Sequence, residues 1–265
     1  HGTLGAFIKY PVTARVRKSI AVHDGGLKKF GVFESERAEL ETVAARTGLI
    51  AGDATATWWR RHPLVLLVEA ADDICYNILD LEDAFTTGDL GYGDVAPLLS
   101  EIAGFSPKDD RGDTPAEKIA VLRAVAIGKA FEACSGAFAE NYDAIMGGRF
   151  AGALVGASTQ AEHFAAIENL ANDRIFTSPR KTELEVMGRN LVHRILDGIL
   201  PVIEALAAAD WQADGLDSYP RQLQRALGID LRHARDPYSA LHALADYVSG
   251  MTDRYAVKIA EMISR

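Results

Sequence analysis

"HPLVLLVEAADDICYNILDLEDA", His62 to Ala84, decides the fold. Its apolar residues recur every three or four positions, the repeat of a helix and not of a strand. At about 100° per residue, Leu64, Leu67, Val68, Ala71, Ile74, Cys75, Ile78 and Leu79 fall on one broad face. The same stretch carries Glu69, Asp72, Asp73, Asp80, Glu82 and Asp83 and no lysine or arginine. Asp72, Tyr76 and Asp80 follow one another at steps of four along the edge of the apolar face, with Glu69 and Asp83 close by. Stacked carboxylates repel, more so when partly buried, so the stripe needs compensation. A divalent cation held by oxygen ligands is one compensator, and a solvated acidic edge is the ordinary alternative.

Outside this stretch helical periodicity continues and alternating strand patterns are nearly absent, which predicts an all-α protein. Helices are predicted over 34–46, 62–86, 95–102, 115–146, 160–170, 181–208, 220–227 and 237–263, the last broken near Ser249-Gly250. "TPAE" at Thr114 to Glu117 supplies a capping residue, a proline at the first helical position and a glutamate three residues after the cap; Gly147-Gly148 supplies the stop. Loops rich in Gly, Asp, Ser and Pro lie at Gly104 to Asp113 and Asp210 to Pro220. The first suggests a division into residues 1–107 and 108–265, packed together as one fold unit. There is no internal repeat.

No apolar run reaches the roughly 20 residues of a membrane span, and the start lacks a signal peptide, so a cytoplasmic location and no membrane partner are expected. Cys75 and Cys134 sit in apolar helical patterns without metal-ligand spacing and read as reduced core residues. A net charge of −9 argues against nucleic acid as a partner. Its distribution is uneven: residues 1–61 hold ten Lys/Arg against six Asp/Glu, while residues 62–107 hold none against nine. Lys9, Arg15, Arg17, Lys18, Lys28 and Lys29 oppose only Asp24 across the opening segment, which suits an anionic ligand. Such blocks could hold a cation beside an anion, although charge counts alone favour two solvated faces.

The wording of the acidic helix, "RHPLVLLVEAADDICYNILDLEDA", resembles the HD-domain deoxynucleoside triphosphate triphosphohydrolases, best known for the deoxyguanosine triphosphate enzymes. "TLGAFIKYP" at Thr3 to Pro11, "KKFGVFESE" at Lys28 to Glu36 and "DYVSGMTDRYA" at Asp246 to Ala256 resemble further family phrases in family order. The resemblance implies an HD-type helical bundle, represented by its central and C-terminal parts. It implies that Asp72 is the metal-binding aspartate, that Tyr76 packs against the deoxyribose, and that Asp80 meets the sugar 3′-hydroxyl. Lys9, Tyr10, Lys28 and Lys29 resemble the groups that meet the triphosphate. The implied cofactor is a divalent metal, magnesium or manganese, and the implied activity is hydrolysis of a deoxynucleoside triphosphate, dGTP foremost, to deoxynucleoside and inorganic tripolyphosphate. Assembly as a homo-oligomer, often a hexamer in the family, is implied as well.

One departure bears on that reading. An HD site needs further histidines and a helical His-Asp pair, which the family supplies upstream of the matched region; the catalytic residues are therefore expected before His1, and a chain truly lacking them should be inactive. His23-Asp24 precedes Gly25-Gly26 and follows "KYP", in the wrong order for that pair. His62, His163, His193 and His242 stand singly. "GDLGYGD" (Gly88 to Asp94) follows a helix and makes no phosphate-binding pattern, "DDRGD" (Asp109 to Asp113) lacks calcium-loop spacing, and no G-x-S-x-G elbow is present. The rival readings are a non-catalytic nucleotide-sensing or oligomerisation module on the same scaffold, and a plain helical interaction protein.

Overall fold

A computed structural model describes residues 1–20, 27–105 and 114–263. Among the described residues the chain is all α, with no strand beyond two isolated bridges, Thr13 with Val32 and Ala51 with Trp59. It divides into two compact units, His1–Ser178 and Pro179–Arg265. His23-Asp24, the "DDRGD" stretch and the suggested division at 107/108 lie outside the described residues.

The first unit runs through α1 (Gly2–Phe7), α2 (Ala14–Arg17), a 3-10 turn (Glu34–Glu36), α3 (Arg37–Thr47), α4 (Pro63–Thr87), α5 (Tyr92–Ala103), α6 (Pro115–Glu140), α7 (Tyr142–Met146), α8 (Leu154–Ala157) and α9 (Ala161–Leu170). Helix α9 continues into one π-helical turn, Ala171–Ile175. Helix α4 begins where His62 Nδ1 accepts the Leu64 N–H at 3.2 Å and Pro63 takes the first position, and it stops at Gly88, whose φ of +84° suits a residue without Cβ. Helix α6 is capped as its sequence predicts: Thr114 Oγ1 accepts the Glu117 N–H at 3.3 Å and Glu117 accepts the Thr114 N–H at 2.9 Å. The single helix predicted over 115–146 is interrupted at Asn141, whose backbone leaves helical geometry at φ −100° and ψ 12° while its Nδ2 donates to the Ala137 carbonyl at 2.8 Å. Helices α5 and α6 pack along one another inside this unit.

One sequence expectation is corrected in α4. The apolar residues do not share a single buried face. Leu66, Ala70, Ile74, Ile78, Leu81 and Ala84 enter the core with Leu99, Leu122, Ala126, Leu154, Phe164 and Ile167. Leu64, Leu67, Val68 and Leu79 stay between 37% and 47% exposed. Cys75 lies on this outer arc and is exposed, not a core residue, whereas Cys134 is buried as expected; both are free thiols. Apolar residues cover too much of the circumference of α4 for one neighbouring layer to bury them all.

The second unit comprises α10 (Pro179–Ala208), a 3-10 turn (Ala213–Gly215), α11 (Ser218–Leu227), α12 (Pro237–Ser249) and α13 (Asp253–Ile263). The expected break near Gly250 separates the last two helices. Its core joins Ile195, Ile199, Val202 and Leu206 of α10 to Leu227, Leu231, Ala240, Leu244 and Ile259. The hydroxyls of Tyr247 and Tyr255 both reach the Leu227 carbonyl, at 2.7 and 3.4 Å, and close the end of α11.

Candidate functional site

The acidic edge of α4 faces the basic opening segment through three ionised side chains. Glu69 uses both oxygens: Lys9 Nζ lies 3.0 Å from Oε1, and Arg61 Nη1 lies 2.7 Å from Oε2. Arg61 is 9% exposed and Glu69 12%, while Lys9 is 40% exposed. Arg61 Nη2 also donates to the Gly152 carbonyl at 2.8 Å, which fixes the guanidinium on the loop before α8. Lys9 stands 5.9 Å from the centre of the Tyr10 ring. Burial works against the Lys9 ammonium, but the hydrogen bond and charge of Glu69, with Tyr10 and Asp73 adding to them, more than offset it and hold its pKa above that of an ordinary lysine.

One turn after Glu69, Asp73 is half-buried. Its pKa is pushed up first by burial and then by the charges of Glu69, Asp72 and Glu168, with Lys9 pulling the other way. The four carboxylates thus outnumber Lys9 and Arg61, and the site as a whole is negative. Asp72 itself is exposed. Asn77, buried beneath this edge, donates from Nδ2 to the Asp73 carbonyl at 2.8 Å.

Further along α4, Tyr76 is 52% exposed and stacks on Phe176 with ring centroids 6.0 Å apart and planes at 27°. Partial burial, then the charge of Asp80 and a hydrogen bond to it, raise the Tyr76 pKa. The π-helical turn delivers Phe176: its N–H donates to the Ala171 carbonyl at 2.8 Å, one residue beyond the α-helical partner.

The two basic phrases of the opening segment are held side by side. The Gly31 N–H donates to the Val12 carbonyl at 3.2 Å, and a Cβ at Gly31 would stand 2.6 Å from the Tyr10 carbonyl oxygen, so the close approach requires glycine. Lys28 and Lys29 are exposed and make no ion pair with a described residue. Of the residues singled out by sequence, Lys9, Tyr10, Asp72, Tyr76 and Asp80 therefore lie along one edge of α4 or next to it, and Lys28 and Lys29 are not joined to that edge by any bond. Sequence reasoning missed Arg61, Asp73 and Phe176; an arginine two residues before a helix-starting proline was the one local signal for the first. An apolar hollow of about 390 Å3 at the start of α4, among Ile50, Leu64, Phe138, Tyr142 and Met146, shares only Arg61 with this group and has no acidic lining.

The described residues contain no group of three or more His, Cys, Asp or Glu arranged to hold a metal ion. Asp72 offers one hard oxygen donor and nothing more.

Fold and site together define a helical protein in which an acidic helix edge stands beside a basic segment. The description "phosphohydrolase-associated domain" fits residues 155–262. A deoxyguanosinetriphosphate triphosphohydrolase-like protein of Synechocystis is 32% identical over 98% of this chain and 58% of its own length. A protein of the same description from Pseudomonas aeruginosa is 33% identical over 100% of this chain and 60% of its own. The deoxyguanosinetriphosphate triphosphohydrolase of Serratia proteamaculans is 27% identical over 97% and 58%. Over nearly its whole length the chain is similar to deoxyguanosinetriphosphate triphosphohydrolase-like proteins, and it spans about three fifths of the length of these relatives. No helix among the described residues is long and apolar enough to cross a membrane.

Proposed function

We propose that the chain is the deoxynucleoside-triphosphate-binding part of a metal-dependent triphosphohydrolase, with dGTP as the first substrate to test. The carrying observation is the contact of Lys9 with Glu69, which sets the basic opening segment against the α4 edge that holds Asp72, Tyr76 and Asp80. Tyr76, flat and backed by Phe176, offers a face for a deoxyribose, and Asp80 an acceptor for its 3′-hydroxyl. Lys9 and Tyr10, with Lys28 and Lys29, meet the triphosphate. Asp72 contributes one oxygen donor to a magnesium or manganese ion, and the remaining donors come from outside the matched part of the relatives. A bound metal would polarise a phosphoryl oxygen and acidify water. The uncovered apolar arc of α4 supports a further helical layer there, since a face of that size is normally buried. Products are the deoxynucleoside and tripolyphosphate; a homo-oligomer, hexameric as in the family, and a cytoplasmic setting complete the reading.

The test is tripolyphosphate release from the four deoxynucleoside triphosphates by the complete gene product with manganese. Asp72→Ala lowers turnover on the order of a thousandfold or more, because metal catalysis supplies several kcal/mol of the barrier, while its exposed position leaves the fold intact. Undiminished turnover in that variant rejects the assignment.

A further inference from the structure

The three-membered ion group raises a question that a phosphate contact alone does not answer. A lysine intended for an anionic ligand is already occupied by Glu69. The partners on the two sides of Glu69 differ. Arg61 is 9% exposed, doubly bonded and anchored to Gly152, whereas Lys9 is 40% exposed on a flexible stem. Of the three groups only Lys9 is free to turn outward. When it does, Glu69 keeps its bond to Arg61, so no buried carboxylate is left uncompensated. The exchange is therefore feasible, but an incoming anion has to compete with a carboxylate that Arg61 prevents from moving aside. It also approaches Asp73, whose proximity to Lys9 and Glu69 adds like charge.

We infer that Glu69 is a specificity-determining positioning residue: it holds Lys9 in reserve and sets the charge a ligand must carry to claim it, favouring a triphosphate over mono- and diphosphates. The inference rests on the reading of Lys9 as a polyphosphate contact. A single phosphate group replaces one carboxylate bond with one phosphate bond and gains little. The cost of taking Lys9 from Glu69 is the same for every anion that does so, but a triphosphate carries further charged groups with which to bind other basic side chains of the opening segment while Lys9 stays on Glu69, so it can escape a cost that the shorter anions cannot.

The experiment measures binding of inorganic phosphate, pyrophosphate and tripolyphosphate to the 265-residue chain by titration calorimetry at one fixed ionic strength. Wild type is compared with Glu69→Gln, Lys9→Met and the double variant. Glu69→Gln raises affinity for phosphate and pyrophosphate about two- to fivefold, the range of one partly exposed ion pair, and raises that for tripolyphosphate less, so the preference for the longer chain narrows. In the Lys9→Met background the same substitution leaves the preference unchanged, because the effect passes through Lys9. Equal gains for all three anions, a gain that persists without Lys9, weaker binding in Glu69→Gln, or no binding of any anion to any form each overturn the inference. If Glu69→Gln fails to fold by circular dichroism, Glu69→Asp, which keeps the charge and the Arg61 pair but shortens the reach to Lys9, serves instead, with a smaller narrowing expected and an unchanged preference overturning it. Turnover of deoxynucleotides by the complete gene product is a separate readout, so the hydrolase reading and the role of Glu69 fail independently.

Discussion

The two units treat their charges differently. In the first, Arg61 and Glu69 are almost withdrawn from water and Glu82 holds Arg123 by two bonds at 2.6 and 2.8 Å, all on or beside α4. In the second, the ion pair of Arg232 with Asp230 at 2.7 Å stands 81% and 52% exposed. The core residues Ile195, Ile199 and Ala240 are fully buried there, so the second unit is no less well packed; it keeps its charges outside. Withdrawing a charge from water costs several kcal/mol unless the geometry returns it. The first unit maintains that arrangement on α4, the helix whose edge carries the candidate site.

The comparison can be broken first at the cores. Leu81→Ala and Ile199→Ala, both at fully buried positions, each lower the unfolding free energy by about 3 kcal/mol; a loss in one unit but not the other, followed by urea denaturation, would show that the packing differs after all. Next comes Arg61→Met, which leaves Glu69 with Lys9 alone and the Gly152 carbonyl without its donor; about 2 kcal/mol is expected, discounted for the solvent that reaches Lys9. A sharper contrast is Asp73→Asn. Because the folded state raises the Asp73 pKa, through burial first and neighbouring carboxylates second, this group favours folding when protonated. Its contribution is complete below the unfolded pKa and is lost as pH rises through the raised folded value. The asparagine variant therefore melts at a higher temperature at neutral pH, and the difference shrinks as pH falls into the carboxylate range; a pH-independent difference would contradict the charge argument. Smallest is Arg232→Met. Although Arg232 holds Asp230 well below the usual carboxylate range, both groups are exposed, and no measurable change in melting temperature is expected.

What the sequence revealed followed from how local each signal was. The cap at Thr114, the end of α4 within one residue of Thr87 and the break at Gly250 depend on residues within one turn and were legible, whereas the end of α6 at Glu140, inside the helix predicted over 115–146, was not. The buried arc of α4 was not, because apolar residues occupy both arcs and only the neighbours decide between Ile74 and Cys75. The spacing of Asp72, Tyr76 and Asp80 could be read off a helical wheel. The clamp on Glu69 could not, since Arg61 is fixed by a carbonyl 91 residues away. Short helices such as Leu154–Ala157 went unseen because four residues carry no period.

The single π turn at Ala171–Ile175 amounts to an extra residue inserted into α9. A π turn uses five residues where an α turn uses about four, so the extra residue is taken up inside the turn; rewinding it as α-helix with the chain length unchanged would rotate the Phe176 ring by about 100° around the axis, out from behind Tyr76. In this segment the winding of a single turn decides whether Tyr76 has an aromatic backstop, so a change of pitch there would reach that side chain without altering any residue on α4.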